Sequence, residues 1–185
     1  MMAKQDKKEV ILEAAQKCFV EKGYDGTSLR DIAKQANVPA GLVYYYFKDK
    51  DALWLDTKMH MVKSVLNDDV LNNTPDDSLK NFLRYVMTQR FNMYKSNPDL
   101  ARLMLWQILE GSVSGIPALH PWRDIIKTLQ ERGDMRTDIS AEDVFTFILT
   151  TSSSVFMSYS EPLDNPEEYL EMMMKVLQQG LAPSY

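Results

Sequence analysis

The stretch from Ser28 to Phe47, SLRDIAKQANVPAGLVYYYF, restricts the fold of this chain more than any other part of it. Its first half carries apolar residues at the i, i+3, i+4 and i+7 positions of one helix face. These residues are Leu29, Ile32, Ala33 and Ala36. Ser28 followed by Asp31 resembles a capping box at the start of this helix, and Thr27 is an alternative N-cap.

A sharp turn and a second short helix follow directly. Asn37 tolerates the left-handed conformation better than most residues and suits a turn after a helix. Pro39 fits at or just inside a helix start, where its missing N–H costs nothing. A helix over Ala40–Phe47 then turns Val43 and Phe47 inward. Two short helices joined by a four-residue turn predict a helix-turn-helix motif.

The outward face of the second helix has an unusual composition. Ala40, Gly41, Tyr44 and Tyr45 point largely away from its inner side. A glycine inside a helix costs about 1 kcal/mol relative to alanine, so its presence indicates that a partner approaches the backbone closely. A helix entering a DNA major groove has this requirement. The alternative is a helical hairpin whose aromatic residues pack on another domain.

The segment TSLRDIAKQANVPAGLVYYYFKDKDALW resembles the TetR family of transcriptional regulators. The resemblance covers roughly the first third of the chain. Two positions depart from the usual pattern: Asn37 replaces the common turn glycine, and Tyr46 stands where histidine is common. The matching positions are Thr27, Ile32-Ala33, Asn37-Val38, Gly41, Val43-Tyr44, Tyr46-Phe47 and Lys50 with Leu53.

The resemblance implies an all-α protein of about nine helices. A three-helix DNA-binding domain is expected over residues 5–65, with the motif at about 28–47. A larger helical domain for effector binding and dimerisation is expected over residues 66–185. The implied function is that of a sequence-specific DNA-binding regulator, most often a repressor in this family, acting on a palindromic operator.

The same resemblance implies which residues touch DNA. Arg30 would point toward a base edge, plausibly a guanine. Ala40, Gly41 and Tyr45 would line the base-facing side of the second helix. Thr27, Ser28, Tyr44, Tyr46 and Lys50 would hold phosphates. Independently of the resemblance, Asp49 can cap the next helix, so Lys50 lies in its first turn, a good position for a phosphate anchor.

The remainder of the chain also predicts helices. Residues 100–110 are apolar nearly all round, so this helix should be buried on most sides. Ser140 and Asn165-Pro166 open two further helices, at about 141–159 and 166–180, and Gly180 should end the second. Both carry apolar residues on more than one face, which predicts a homodimer through a four-helix bundle. The alternative is a buried hairpin within a monomer.

Aromatic residues on the middle helices suggest a pocket for a small, mostly apolar ligand. They could equally be packing residues, and the resemblance is what favours a pocket. Its candidate lining is Phe91, Tyr94, Trp106, Phe147 and Tyr159, with the polar groups Arg102 and Glu110.

Composition excludes several other classes of protein. The net charge is −5, yet residues 1–50 hold nine Lys/Arg against seven Asp/Glu, so the basic surplus lies where DNA would bind. No window suits a membrane span or secretory signal, and the single cysteine, Cys18, fits a reducing cytoplasm.

The chain shows no catalytic motif, metal-ligand cluster or cofactor motif. A ligand-binding helical protein without DNA affinity and a helical adaptor remain alternatives.

Overall fold

The computed structural model describes residues 4–66, 74–110, 120–157 and 165–183 of the chain. Within these ranges the backbone forms nine α-helices and no β-strand, which confirms the predicted all-α class. None of the helices there has the length and apolar character needed to cross a membrane. The helices are α1 (Lys4–Lys22), α2 (Leu29–Gln35), α3 (Ala40–Tyr46), α4 (Lys50–Lys63), α5 (Leu79–Ser96), α6 (Pro98–Leu109), α7 (His120–Glu131), α8 (Ala141–Met157) and α9 (Pro166–Leu181).

The chain divides into two compact units, each described here over its described residues. Unit one takes in Met1–Val65 and Asn97–Ile116, and unit two takes in Leu66–Ser96 and Pro117–Tyr185. The sequence predicted one division between residues 65 and 66. The contacts instead group α6 with the first four helices, because α6 packs against α1 and α4.

Unit one is assembled around α1, which contacts α2, α4 and α6, while α3 packs on α2. Each of the helices α1 to α4 contributes at least one apolar side chain that is completely buried. Fully burying a Val, Leu, Ile or Phe side chain stabilises a fold by about 1.5–3 kcal/mol. The completely buried apolar residues of these helices are Ile11, Ala15, Phe19, Ile32, Val43, Leu53 and Val62.

The helix-turn-helix forms for the reasons read from the sequence. The Ser28 hydroxyl accepts a hydrogen bond from the Asp31 N–H at 3.2 Å, and the Asp31 carboxylate accepts one from the Ser28 N–H at 3.1 Å. This capping box starts α2 at Leu29. Asn37 adopts a left-handed φ of 52°, and Pro39 takes the N-cap position of α3 in an extended conformation. The turn and both helix starts are therefore confirmed.

The helix ends in unit one have local causes. The helix α1 stops at Lys22 because Gly23 adopts a left-handed φ of 73°. The helix α3 ends one position before Phe47, whose backbone is extended. The helix α4 starts at Lys50 on an Asp49 cap, in which Asp49 accepts from the Ala52 N–H at 2.8 Å.

The prediction that residues 100–110 are buried on most sides is wrong. Leu100 and Leu103 are completely buried, but Ile108 is 66% exposed and Leu109 is 71% exposed. The reason is that α6 packs on α1 and α4 along one side only. Its length was also underestimated, because Asn97 caps a helix that begins at Pro98.

Unit two is centred on α5, which contacts both α8 and α9, while α7 packs against α8. Phe82, Val86, Met87 and Met93 of α5 are completely buried. The cap at Ser140 is confirmed, since its hydroxyl accepts from the Asp143 N–H at 3.1 Å. The N-terminus of α9 is also as predicted, with an Asn165 cap and Pro166 in the first turn.

The prediction that Gly180 ends the last helix is wrong. The helix α9 continues through Gly180 to Leu181. The carbonyls at this end are satisfied by Arg136, whose backbone N–H donates to Leu181 O and whose Nη1 donates to Gly180 O, both at 3.0 Å. Because these donors replace the usual capping bonds, the helix needs no left-handed glycine to stop.

Candidate nucleic-acid interface

The outward face of α3 is exposed, with no covering contact from the described residues. Tyr44 is 55% exposed and Tyr45 is 64% exposed, while Val43 on the opposite side is completely buried. Gly41 is exposed, and Ala40 is half-buried. The tyrosine side chains are ordered by neighbouring rings, since the Tyr45 and Tyr46 rings meet edge to face at 5.2 Å. The helix therefore presents a small-residue edge beside aromatic side chains.

Neither packing among the described residues nor backbone conformation requires a glycine at position 41. A Cβ built at this position would meet no atom within 4 Å, and the residue does not take a left-handed conformation. Alanine would therefore fit, and it would favour the helix by up to about 1 kcal/mol. The absence of a side chain is useful only to something that approaches α3 from outside.

A concave depression of about 560 Å³ lies beside this helix. Arg30 is exposed on α2, and Tyr44 and Lys50 contribute hydroxyl and ammonium groups to the lining. Such a combination suits phosphate oxygens. The depression is lined by Asp25, Gly26, Thr27, Ser28, Leu29, Arg30, Asp31, Tyr44 and Lys50.

Two of the predicted phosphate contacts have hydroxyls that serve the fold. The Thr27 side chain is buried, and its hydroxyl lies 2.7 Å from Gly23 O and 3.1 Å from Cys18 O. The Ser28 hydroxyl donates to the Asp31 carboxylate while it caps α2. Hydrogen bonds from the Ser28 hydroxyl and N–H lower the pKa of Asp31, so this carboxylate stays ionised.

Lys50 also supports the loop that joins α1 to α2. Its Nζ donates to Tyr24 O at 2.8 Å and to Thr27 O at 3.1 Å, and it lies 4.0 Å from the centre of the Tyr24 ring. The Tyr24 hydroxyl in turn bonds to Asp51. Burial, followed by this hydrogen bond, raises the pKa of Tyr24 to about 12. An ammonium group has three donors, so the two carbonyls leave one for a phosphate.

The predicted pocket residues fall into both units. Phe91 and Tyr94 are buried in unit two, and the Phe91 ring meets the Phe156 ring edge to face at 5.0 Å. Phe147, also in unit two, is 52% exposed. Tyr159 lies outside the described residues.

The remaining three pocket candidates belong to α6 and its end, in unit one. Arg102 is exposed. The Trp106 indole N–H donates to Val20 O at 3.2 Å, and the Glu110 carboxylate bonds to the loop after α1. The side chains of Trp106 and Glu110 are therefore engaged with unit one.

Sequence reasoning missed two buried cations. Lys58 is completely buried and its Nζ donates to Gln107 Oε1 at 2.8 Å, which joins α4 to α6. Burial lowers the pKa of Lys58 to about 8. Arg90 in α5 is 3% exposed, and it donates to Tyr94 Oη at 3.1 Å and Leu149 O at 2.9 Å. Both residues lie on otherwise apolar helix faces, and this position in the sequence could have predicted that they are buried.

No group of three or more potential metal ligands occurs within the described part of the chain. The site is thus a helix face with a flanking polar depression. Its exposed groups include the backbone at Gly41, tyrosine hydroxyls and the Arg30 guanidinium, which are groups that contact nucleic acids, together with the carboxylates of Asp25 and Asp31.

Comparison with known proteins agrees with this geometry. Residues 11–57 match the family model described as bacterial regulatory proteins, tetR family. The uncharacterized HTH-type transcriptional regulator YuxN of Bacillus subtilis (strain 168) is 30% identical over 108 residues, which is 58% of this chain. The chain spans only about a third of the length of YuxN, 36%.

Two further relatives align over nearly the whole chain. The HTH-type transcriptional repressor DhaR of Mycobacterium sp. (strain GP1) is 23% identical over 200 aligned positions, covering 99% of this chain and 96% of DhaR. A crystal structure of a TetR family transcription regulator from Marinobacter aquaeolei VT8 superposes with a TM-score of 0.76 at 18% identity, covering 98% of this chain and 99% of that one. The fold is therefore shared along the chain. Residues 11–57 therefore match the tetR family of bacterial regulatory proteins, and the chain shares its fold with a solved regulator described as TetR family.

Proposed function

We propose that this protein is a sequence-specific DNA-binding transcriptional regulator that represses its target genes as a homodimer. The observation that carries the proposal is the exposed face of α3, where Gly41 leaves open space on the same helix as the exposed Tyr44 and Tyr45. The match of residues 11–57 to the tetR family supports the same function, because that family is one of regulators rather than enzymes. A regulator of genes would act in the cytoplasm, where the DNA of a bacterium lies.

In this proposal α3 enters the major groove. Ala40, Gly41 and Tyr45 face the bases, and Arg30 reaches a base edge from α2. Tyr44, Tyr46 and Lys50 hold phosphates. The buried Thr27 hydroxyl and the capping Ser28 hydroxyl contribute by fixing the start of α2, from which Arg30 projects.

The exposed apolar surface of α8 and α9 supports dimerisation. Phe147, Met172 and Val176 are 52%, 46% and 58% exposed on these two helices, and a contiguous exposed apolar patch marks an interaction surface. They adjoin a groove of about 440 Å³ lined mainly by apolar residues. A second copy would cover this surface symmetrically. Two α3 helices would then read half-sites of a palindromic operator about one DNA turn apart, or a multiple of it.

A small, mostly apolar effector would release the operator. Its pocket is proposed at the buried aromatic residues of α5, with Phe91 and Tyr94 as candidate contacts. Of the other residues predicted from the sequence, Phe147 lies in the same unit and is kept as a candidate. Arg102, Trp106 and Glu110 belong to unit one, where Trp106 and Glu110 bond to the end of α1 and the loop after it. Release requires that the effector bind the DNA-incompetent state more tightly than the DNA-bound state.

The DNA-binding role is tested with a duplex from the chain's own upstream region. Wild-type protein should shift this duplex in an electrophoretic assay in excess of generic competitor DNA. Arg30→Ala should cost about 1–3 kcal/mol at one base position and relax the base preference there. Arg84→Ala is the matched control, because it removes the same charge from an exposed site on α5 in unit two.

The two variants separate base recognition from simple charge. A selection on randomised half-sites measures the base preference of each. Unchanged preference in Arg30→Ala would remove Arg30 from the base contacts. Failure of the wild-type chain to bind the upstream duplex would contradict the proposed function itself.

A further inference from the structure

The loop between α1 and α2 carries a second anchor that the DNA-binding motif does not contain. We propose that Glu110, at the end of α6, is a positioning residue for DNA binding: its carboxylate holds this loop and so sets the start of α2, from which Arg30 projects. The inference rests on the proposed function. It adds to that function a residue far from the motif in sequence.

The carboxylate occupies a concavity made by backbone amides. After α1 stops at Gly23, the N–H groups of Tyr24 and Asp25 lie outside the helix. Tyr24 N donates to Glu110 Oε2 at 2.9 Å, and Asp25 N donates to Glu110 Oε1 at 3.2 Å. Successive amides beside a left-handed residue form a natural anion site. Here that site is filled by a side chain of the same unit.

Any side chain at Gly23 would have to displace the Glu110 carboxylate and the Trp106 ring. A Cβ at Gly23 would lie 2.3 Å from Glu110 Oε1 and 2.8 Å from Trp106 Cε3. The left-handed φ of 73° independently favours glycine there. The Trp106 indole holds the same end of α1 by donating to Val20 O. Trp106 of α6 and Glu110, which directly follows that helix, therefore both contact the end of α1 and the loop after it.

Hydrogen bonds within the loop connect this contact to the residues proposed to face DNA. Thr27 N donates to Tyr24 O at 3.2 Å, and the Thr27 hydroxyl reaches Gly23 O at 2.7 Å. Lys50 holds the other side of the loop through the Tyr24 and Thr27 carbonyls. Ser28, the cap of α2, follows directly. Releasing Glu110 would free two amides and loosen this connection.

The sign of the effect distinguishes positioning from electrostatics. A negative charge near DNA repels phosphates, so neutralising an acidic residue normally strengthens DNA binding. Positioning by Glu110 predicts the opposite result. Glu21→Gln is the matched control, because it removes the same charge from an exposed position near the end of α1.

The experiment measures fluorescence anisotropy of the full chain on two duplexes, one from its own upstream region and one of generic sequence. Glu110→Ala should weaken binding to the upstream duplex by about tenfold, the scale of one lost charge-assisted hydrogen bond. Binding to the generic duplex should change by less than about twofold, since phosphate contacts dominate it. Glu110→Gln, which keeps one acceptor, should fall between Glu110→Ala and wild type. Glu21→Gln should bind both duplexes at least as tightly as wild type.

Gly23→Ala disturbs the same contact from the other side. The affinity for the upstream duplex that Gly23→Ala loses should not add to the affinity that Glu110→Ala loses in a double-mutant cycle. Thermal melts of each variant test whether the chain remains folded. If Gly23→Ala does not fold, the Glu110→Gln and Glu110→Ala pair alone decides the outcome.

Two results would overturn the inference. One is upstream-duplex affinity in Glu110→Ala equal to or above that of wild type. The other is an equal loss on both duplexes, which would indicate general destabilisation. These results presuppose that the wild-type chain prefers its upstream duplex, so failure of that preference is a failure of the proposed function and is recognised separately.

Discussion

Replacing Gly41 with alanine should stabilise the protein while weakening its binding to DNA. The folded state has room for the added methyl group, because a Cβ there meets no atom within 4 Å. The gain in the free energy of unfolding should therefore be up to about 1 kcal/mol, as for a glycine replaced in a compatible helical position. The two effects have opposite signs, which no general change in folding would produce.

The loss of DNA affinity follows from the same geometry. If α3 lies in the major groove with Gly41 against the bases, one methyl group overpacks that contact. Overpacking by a methylene-sized group costs about 1–3 kcal/mol, or roughly 5- to 160-fold in the dissociation constant. The magnitude should be larger on the upstream duplex than on generic DNA, where α3 lies less deeply.

Urea unfolding and fluorescence anisotropy on the upstream duplex measure the two effects. Asn92→Ala is the control, since it improves helix propensity on an exposed position of α5 in unit two. That variant should gain stability and keep its DNA affinity. A Gly41→Ala variant that binds the upstream duplex as tightly as wild type would refute the reasoning, as would a loss of stability in that variant.

Three further predictions use other parts of the structure. Lys50→Met should weaken upstream and generic duplexes alike and reduce the slope of log K against log salt by about 1; an unchanged slope would limit Lys50 to its loop contacts. Val176→Glu should convert the proposed dimer to monomer in analytical ultracentrifugation, whereas Leu109→Glu, on a still more exposed apolar side chain of α6, should not. Identical sedimentation of both variants would exclude the α8–α9 surface. Burial lowers the pKa of Lys58 to about 8. Between that pH and the ordinary lysine pKa, the unfolded chain therefore binds more protons than the folded chain. The free energy of unfolding should rise with pH across this interval, by up to about 3 kcal/mol. Urea unfolding of Lys58→Met should lack this rise, and parallel profiles for the two proteins would contradict it.

The features predicted well from the sequence were those with local causes. The capping box of Ser28 and Asp31, the left-handed Asn37 and the Asp49 cap each depend on residues within a few positions. The periodic spacing of Leu29, Ile32 and Ala33 likewise required only a helix to become a buried face. Local signals of this kind locate the motif before any tertiary contact is known.

The features missed were those that depend on contacts between distant segments. The helix α6 looked like a buried helix because its composition is apolar, but it covers α1 and α4 along one side only. Glu110 looked like a polar group in a ligand pocket, whereas its carboxylate bonds to amides of the loop after α1. Gly180 looked like a helix stop, and Arg136 supplies the capping donors instead. None of these partners is adjacent in sequence.

The most direct test of the whole account is chemical protection of bases by the bound protein. Dimethyl sulfate methylates guanine N7 in the major groove and adenine N3 in the minor groove, so it reports which groove the protein fills. The account predicts protection of guanine N7 in two half-sites of the upstream operator, about one DNA turn apart or a multiple of it, and loss of this protection in Gly41→Ala. Protection confined to adenine N3, or guanine N7 positions that react as in free DNA, would contradict the placement of α3 in the major groove.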